Sequence, residues 1–186
     1  MAKRVGVLAL QGDFEAHQRA LQRAGAEVVQ VRTPDELNQV QGLVIPGGES
    51  TTMLRLLHAA NLMQPLKEFG ETKPIYGTCA GAILLATDVI NPSQESLKLM
   101  DIGVQRNGYG RQLDSRVVQI PTENGDMEAV FIRAPIIRRV GKDARILASY
   151  NGDPVLVEQG RHLVSTFHPE LTSDTRVHQM FLDKIT

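Results

Sequence analysis

The chain has 186 residues, with 20 basic and 21 acidic side chains and a formal net charge of −1 at pH 7. This length suffices for one α/β domain with a full core, so we expect a single domain over residues 1–186. The balanced charge argues against nucleic acid or an acidic membrane as a partner. The single cysteine cannot form an intrachain disulfide, and no leader or membrane-spanning stretch is evident, so we expect a cytoplasmic protein.

The first part of the chain predicts a parallel α/β core. A nearly continuous apolar run at residues 4–10 indicates a parallel strand buried on both faces, and further strands are expected at residues 27–31 and 42–45. Between the first two, Asp13 is a candidate N-cap and Gly25 a candidate end for an amphipathic helix. The strand–helix–strand order indicates right-handed crossovers in a parallel sheet. His17, on this helix, is interpreted as a packing or surface histidine.

A glycine-rich loop follows the third strand, with the sequence Pro46-Gly47-Gly48-Glu49. It lacks the Gly-Lys-Ser/Thr ending of a P-loop, which disfavours phosphate binding. The paired glycines instead allow backbone N–H groups to turn toward a ligand, so the loop fits an oxyanion donor better. Ser50 or Thr51 is expected to cap the helix that follows.

A strand–turn–helix pattern surrounds the only cysteine, Cys79. Gly77 and Gly81 flank it two positions away on either side, and an Ala/Leu-rich helix begins at once. This pattern is typical of a nucleophile elbow, whose crowded flanks require glycine. The helix N-terminus favours the thiolate, and the N–H of Ala80 is a natural donor to an oxyanion. The alternative interpretation is a buried, unreactive small side chain.

From residue 102 onward, alternating residues and turns predict antiparallel strands added to the parallel core. They are expected at residues 104–109, 116–120, 129–132, 146–150, 155–158 and 162–167, after an irregular segment at 88–101. Asn151-Gly152 predicts a hairpin turn, and a terminal helix is expected from about residue 174 to 185.

The last predicted strand runs into Phe167-His168-Pro169-Glu170. Residues two apart in an extended chain project to the same side, so His168 and Glu170 can serve one site, with Pro169 fixing the backbone. A carboxylate bound to one imidazole nitrogen sets the tautomer and leaves the other nitrogen to act on a thiol. Alone, the tripeptide is as well explained by a surface turn; with the Cys79 elbow it indicates a Cys-His-Glu triad. One cysteine with one nearby histidine offers too few ligands for zinc, so we expect no metal.

Together these motifs resemble class I glutamine amidotransferases, and within them the glutaminase subunits of two-component pyridoxal 5′-phosphate synthases. The resemblance runs from about Val5 to Ile185. It rests on residues 10–12 with His17, 43–52, 77–81, 106–112, 131–135 and 167–171. The implied fold is an α/β three-layer sandwich of the flavodoxin-like type, with a mostly parallel central sheet and antiparallel additions.

The resemblance implies that Cys79 is the nucleophile, His168 the acid/base and Glu170 its orienting partner. It also implies that the substrate-binding residues are Gly47, Gly48, Glu49, Arg106, Ile132 and Arg133. The N–H of Gly48 would join that of Ala80 in the oxyanion hole, and Gln11 would act as an activation relay. The implied reaction is hydrolysis of L-glutamine to L-glutamate and ammonia through a glutamyl thioester, without a cofactor.

The implied partner is a TIM-barrel synthase subunit, which receives the ammonia for pyridoxal 5′-phosphate (vitamin B6) biosynthesis within a large hetero-oligomer. The residues alone leave open a glutaminase subunit of another biosynthetic amidotransferase, a cysteine hydrolase of the related α/β class, or a non-catalytic binding module. From the residues alone, Arg106 and Arg133 are better explained by a solvated strand face. With the resemblance they indicate glutamine over a peptide or ester, because a guanidinium suits a free α-carboxylate.

Overall fold

The computed structural model describes residues 1–107 and 115–186. Its strands and helices, in chain order, are β1 (Arg4–Leu8), α1 (Phe14–Arg23), β2 (Glu27–Val31), α2 (Pro34–Leu37), β3 (Gly42–Ile45), α3 (Ser50–Ala59), α4 (Met63–Thr72), β4 (Ile75–Thr78), α5 (Ala80–Leu85), β5 (Ala86–Ile90), β6 (Met100–Gln105), β7 (Ser115–Thr122), β8 (Gly125–Ile132), β9 (Ile136–Val140), β10 (Arg145–Tyr150), β11 (Asp153–Gln159), β12 (His162–Ser165) and α6 (Arg176–Asp183). A single 3₁₀ turn, Pro169–Leu171, lies between β12 and α6.

The central sheet has seven strands in the order β10-β11-β12-β4-β3-β1-β2. Pairing is parallel from β2 through β1, β3 and β4 to β12. It is antiparallel where β11 and β10 extend the sheet beyond β12. The carboxyl ends of β1, β3, β4 and β12 therefore meet at one edge, which is where open α/β sheets bind their ligands.

Two apolar clusters cover opposite faces of this sheet, as strand alternation requires. On one face Leu43 and Ile45 pack with residues of α3 and α4 such as Leu57. On the other face Val44 packs with residues of α1 and α6, including Phe181. The predicted α/β sandwich with a mostly parallel sheet is therefore confirmed.

The strands outside the central sheet form two smaller sheets, in which β5 pairs with β6 in parallel and the other pairs are antiparallel. Strands β5, β6 and β9 make a three-stranded sheet whose buried residues join the α3–α4 side of the core. The β7–β8 hairpin packs on the α1–α6 side. The hairpin brings the end of β8 to the carboxyl edge of the central sheet, because the backbone N–H of His168 donates to the carbonyl of Val130 at 2.8 Å.

Several elements differ from the sequence-based expectations. Helices α2 and α4 and strand β9 were not predicted, and the segment 88–101 is not wholly irregular, since it contains the end of β5 and the start of β6. Strand β5 follows α5 directly at Ala86 without Gly or Pro to mark the change, which hides the boundary in the sequence. The predicted strand 104–109 overlaps β6 only at residues 104 and 105, since β6 begins at Met100 and residues 106 and 107 lie in a turn; residues 108 and 109 lie outside the described residues.

None of the described helices is both long and apolar enough to cross a membrane. The helix at the end of the chain begins at Arg176 rather than at residue 174. Its start is set by Asp174, whose carboxylate accepts the backbone N–H of Arg176 at 2.9 Å.

His162 joins three elements at the amino edge of the sheet. Its buried ring accepts the backbone N–H of Ile75 at Nδ1, at 3.1 Å, and donates from Nε2 to the carbonyl of Gly70, at 2.8 Å. This pairing uses both nitrogens of the neutral ring. Burial disfavours the charged form and lowers the pKa of His162 to about 4.

Replacing His162 with glutamine should reduce the loss of stability in acid. The folded pKa lies below the unfolded value, so the contribution of His162 is complete above about pH 6.5 and is lost as the pH falls toward 4. We expect H162Q to remove up to roughly 3 kcal/mol of the change in unfolding free energy over that interval. Chemical denaturation at a series of pH values measures this change. H58Q, which replaces an exposed histidine, is the control. If the unfolding free energies of H162Q and the unaltered protein changed with pH in parallel, the prediction would be contradicted.

Candidate active site

Four segments meet where the parallel strands end. Gln11 follows β1, the glycine-rich loop 46–49 follows β3, Cys79 follows β4, and His168 follows β12. Strand register aligns these segments, since Gly77 of β4 lies opposite Ile45 of β3 and Val164 of β12. All three predicted triad residues are therefore delivered to this edge.

Cys79 lies on the sharp turn between β4 and α5, with φ 52° and ψ −104°. A non-glycine residue at positive φ carries a strain of about 1–3 kcal/mol and persists only where its surroundings hold it. Here the backbone N–H of Cys79 donates to the carbonyl of Ser165 at 2.9 Å, and its own carbonyl accepts from Ile83 at 3.2 Å. A Cβ on Gly81 would overlap the carbonyl oxygen of Ile45, so the helix can approach β3 only with glycine there.

His168 and Glu170 form the second half of the site. Nδ1 of His168 donates to Oε2 of Glu170 at 3.0 Å, and both side chains are buried. Their relative position differs from the extended geometry expected from the sequence, because β12 ends at Ser165 and Pro169–Leu171 forms a 3₁₀ turn. Proline begins that turn, since its fixed φ suits the first helical position.

The other nitrogen of His168, Nε2, is buried and makes no hydrogen bond with the residues described. The ring and the Cys79 side chain both lie against Gly47. A Cβ built on Gly47 would be 2.7 Å from Cε1 of His168 and 3.4 Å from Cβ of Cys79. Burial opposes the charged ring, but Cys79 and then Glu170 outweigh this and raise the pKa of His168 to about 10. The environment of His168 therefore favours the protonated ring.

The Glu170 carboxylate is ionised despite its burial. Desolvation would raise its pKa, but the two neighbouring imidazoles, His17 and His168, hold the pKa of Glu170 well below its usual range. An oxygen of Asp13 also lies within 4.8 Å of ligand-type atoms of His168 and Glu170. Because Nδ1 of His168 and Oε2 of Glu170 already bind each other, we interpret Asp13 as an acidic neighbour of the pair and not as part of a cation site.

Gln11 and the glycine-rich loop are in direct contact. The side-chain carbonyl of Gln11 accepts the backbone N–H of Glu49 at 3.1 Å. Gly48 has φ 151°, and a Cβ there would overlap the Gln11 amide. Ala80 is the first residue of α5, so its N–H belongs to the unpaired amides of a helix start.

Glu49, and not Ser50 or Thr51, caps α3. Its carboxylate accepts the backbone N–H groups of Thr51 at 3.2 Å and Thr52 at 2.7 Å, so the expected hydroxyl cap is wrong. Desolvation opposes ionisation, but the hydrogen bonds from Thr52 and Thr51 together outweigh it and lower the pKa of Glu49. Arg106 lies alongside, donating to Oγ1 of Thr51 at 2.8 Å, with its guanidinium 3.7 Å from the Glu49 carboxylate.

Ile132 and Arg133 lie at the end of β8. The carbonyl of Ile132 accepts from the Cys79 thiol at 4.0 Å, the outer limit for sulfur, and Arg133 has φ 45°. The end of β8 is thus held against the nucleophile. Of the predicted segment 106–112, residues 108–112 lie outside the described residues.

Sequence reasoning missed a buried polar layer beneath the triad. His17, interpreted as a packing or surface histidine, is fully buried against Glu170 and Thr78, and His178 of α6 is buried beside it. The available signal was a histidine on the apolar face of each amphipathic helix, next to Leu21 in α1 and Phe181 in α6.

Comparisons with known proteins identify relatives over nearly the whole chain. A curated relative from Solibacter usitatus (strain Ellin6076), a pyridoxal 5′-phosphate synthase subunit PdxT, is 61% identical, covering 98% of this chain and 100% of its own. The subunit of the same name from Mycobacteroides abscessus is 50% identical over 100% of this chain and 98% of its own.

The fold comparison gives the same result. A crystal structure described as a glutamine amidotransferase superposes with a TM-score of 0.92 at 43% identity, covering 97% of this chain and 98% of that chain. PurLQS from Thermotoga maritima shares the fold, with a TM-score of 0.73 at 18% identity over 100% of both chains. The model of the SNO glutamine amidotransferase family matches residues 7–186, and the chain therefore belongs to the SNO glutamine amidotransferase family.

Proposed function

We propose that this chain is the glutaminase subunit of a two-component pyridoxal 5′-phosphate synthase and hydrolyses L-glutamine to L-glutamate and ammonia. The observation that carries the proposal is Cys79 on a strained elbow beside a buried His168–Glu170 pair, in a chain whose close relatives are pyridoxal 5′-phosphate synthase subunits. The family and the site chemistry agree, since a paired thiol and imidazole suit attack on an amide carbonyl.

In the first half of the reaction, the Cys79 thiolate attacks the side-chain carboxamide carbon of glutamine. The raised pKa of His168 supports a proton on its ring when the substrate binds. His168 then gives that proton to the departing nitrogen, ammonia leaves, and a glutamyl thioester remains on Cys79. In the second half, His168 takes a proton from water, which attacks the thioester and releases glutamate with return of the thiol.

We assign the oxyanion of each tetrahedral intermediate to the N–H groups of Gly48 and Ala80. The carbonyl of Gly47 accepts from the backbone N–H of Asp13 at 3.3 Å, so the planar peptide directs the Gly48 N–H away from α1. A Cβ on Gly12 would overlap that carbonyl oxygen. The turn before α1 therefore determines the orientation of the donor peptide. Gln11 binds the N–H of the next peptide, at Glu49, which supports a relay role for Gln11.

The amino-acid end of glutamine would bind between the glycine-rich loop and the end of β8. Glu49, Arg106 and Arg133 offer charges of both signs there, as a free amino acid requires. Gly47 and Ile132 complete this pocket in the proposal, since both contact the Cys79–His168 pair.

The ammonia would pass to a synthase subunit, which we propose is a TIM barrel that forms a large hetero-oligomer with this chain. The support is the name of the close relatives, which are themselves subunits of the synthase. A catalytic thiol needs a reducing compartment, which supports a cytoplasmic location as a further proposal.

Replacing Cys79 with alanine should abolish glutamine hydrolysis, because the nucleophile is lost. We expect ammonia release to fall by at least about 10⁴-fold. Ammonia and glutamate are measured with the synthase subunit present, and an unchanged thermal unfolding midpoint shows that C79A is folded. Retained turnover in C79A would refute the assignment. Preference of the unaltered protein for peptides or esters over glutamine would favour a related cysteine hydrolase.

Replacing Gly12 with alanine should impair the oxyanion loop specifically. Gly25 is the matched control, because it has a similar φ of 94° against 87° for Gly12, and a Cβ there meets no described atom within 4 Å. Both changes carry a similar backbone strain of about 1–2 kcal/mol. We expect only G12A to lose turnover, by about 100-fold, the effect of one oxyanion donor. Equal losses in G12A and G25A would show that the contact with Gly47 does not matter.

The synthase subunit should increase glutamine hydrolysis by this chain. Glutamate formation is measured with and without an equimolar synthase subunit from a close relative, and C79A serves as the blank. We expect a higher kcat in the mixture and co-elution of the two chains on size exclusion. Equal rates would remove the activation proposal, and separate elution would favour a different biosynthetic partner.

A further inference from the structure

Two buried histidines, His17 in α1 and His178 in α6, take no part in the proposed reaction. We propose that His17, held by His178, is a positioning residue that donates a second hydrogen bond to Glu170 and so fixes this carboxylate as an oriented anion beneath His168. The proposal rests on the proposed function, because it extends the triad by one layer.

The contacts form a continuous chain of polar atoms. Nε2 of His17 lies 3.2 Å from Oε2 of Glu170 and 2.8 Å from Oγ1 of Thr78. Nδ1 of His17 lies 2.9 Å from Nε2 of His178. The Glu170 oxygen that binds Nδ1 of His168 is thus the same oxygen that faces His17.

One arrangement of protons satisfies these contacts. An ionised carboxylate only accepts, so the contact with Oε2 needs a proton on Nε2 of His17, and the Thr78 hydroxyl, 2.8 Å from the same nitrogen, also accepts from it. Nδ1 of His17 then accepts from Nε2 of His178. Nδ1 of His178 is then also bare, in agreement with its burial without a partner in the described chain. Desolvation lowers the pKa of His178 to about 3, so this ring is neutral.

Other charged or titratable groups facing Glu170 do not replace His17. Asp13, before α1, is itself acidic and near the site. Tyr76 of β4 is neutral, because burial and then the Glu170 charge raise its pKa well above the ordinary value, and its hydroxyl is paired with Ser165 at 2.7 Å. The positive charge of Arg23 contributes to lowering the pKa of His178 and so to keeping that ring uncharged.

The second donor matters because Oε1 of Glu170 is buried with no hydrogen bond to any described residue. Both imidazoles therefore share Oε2, and without His17 the carboxylate would be held by His168 alone. Such a carboxylate can rotate and is a weaker partner for the imidazolium. The tautomer that leaves Nε2 of His168 facing the thiol depends on this carboxylate.

The test compares H17F, which removes the donor, with H17Q, which restores an amide donor. The first readout is the titration midpoint of the His168 ring in the full chain by NMR, assigned by the signal missing in H168N. The second is kcat and KM for glutamine with the synthase subunit present. We expect H17F to lower the His168 midpoint by about one pH unit, the effect of one hydrogen bond to a charged group.

In the same comparison, H17F should lower kcat by about 10-fold with little change in KM, and H17Q should recover most of it. H178F should shift the His168 midpoint in the same direction by less, since the His17 proton is then free to move to Nδ1. H58Q, which replaces an exposed histidine, should have the same His168 midpoint and the same kcat as the unaltered protein.

An unchanged His168 midpoint in H17F would overturn the proposal, as would equal loss of kcat in H17F and H17Q. Should H17F not fold, an unchanged midpoint in H178F would overturn it instead. The NMR titration needs no glutamine, so it separates failure of this inference from failure of the glutaminase assignment, which C79A tests.

Discussion

The site depends on a strained backbone at Cys79 being held between two parallel neighbours. β3 lies on one side and β12 on the other, and the Ser165 carbonyl binds the Cys79 N–H at 2.9 Å. The same register that holds the strain also brings the ends of β3 and β12 to the nucleophile. The strained turn at Cys79, the position of the loop 46–49 and the position of His168 therefore all depend on the pairing of β4 with β3 and β12. Helix α5, which follows Cys79, must also approach Ile45 closely, and Gly81 allows this.

Burial and charge act together in the second half of the site. A carboxylate enclosed by protein is costly unless it is hydrogen-bonded to charge-bearing or polar partners. Glu170 meets this condition through His168 and His17. Together with Cys79, the buried Glu170 anion favours a proton on His168, which is the proton that the proposed reaction gives to the departing ammonia.

The parallel core could be predicted from the sequence, and the side chains proposed as the triad could be selected from it, because both leave local signals. Apolar runs define β1 and β3, and paired glycines mark the Cys79 turn. The Glu49 cap, the 3₁₀ turn at Pro169–Leu171 and strand β9 were not predictable, since each is selected by tertiary contacts over weak local preference. The core position of His17 follows from helix periodicity. Its contact with Glu170 was not predictable, because the two residues are far apart in the chain.

The stretch from Gln11 to His17 touches both halves of the site, since Gln11 binds the Glu49 amide and His17 faces Glu170. Adding or deleting one residue between them would turn α1 by about 100° relative to its anchor. One of the two contacts would then be lost whichever end stayed in place. The number of residues between Gln11 and His17 is therefore constrained by the need to reach both halves of the proposed site at once.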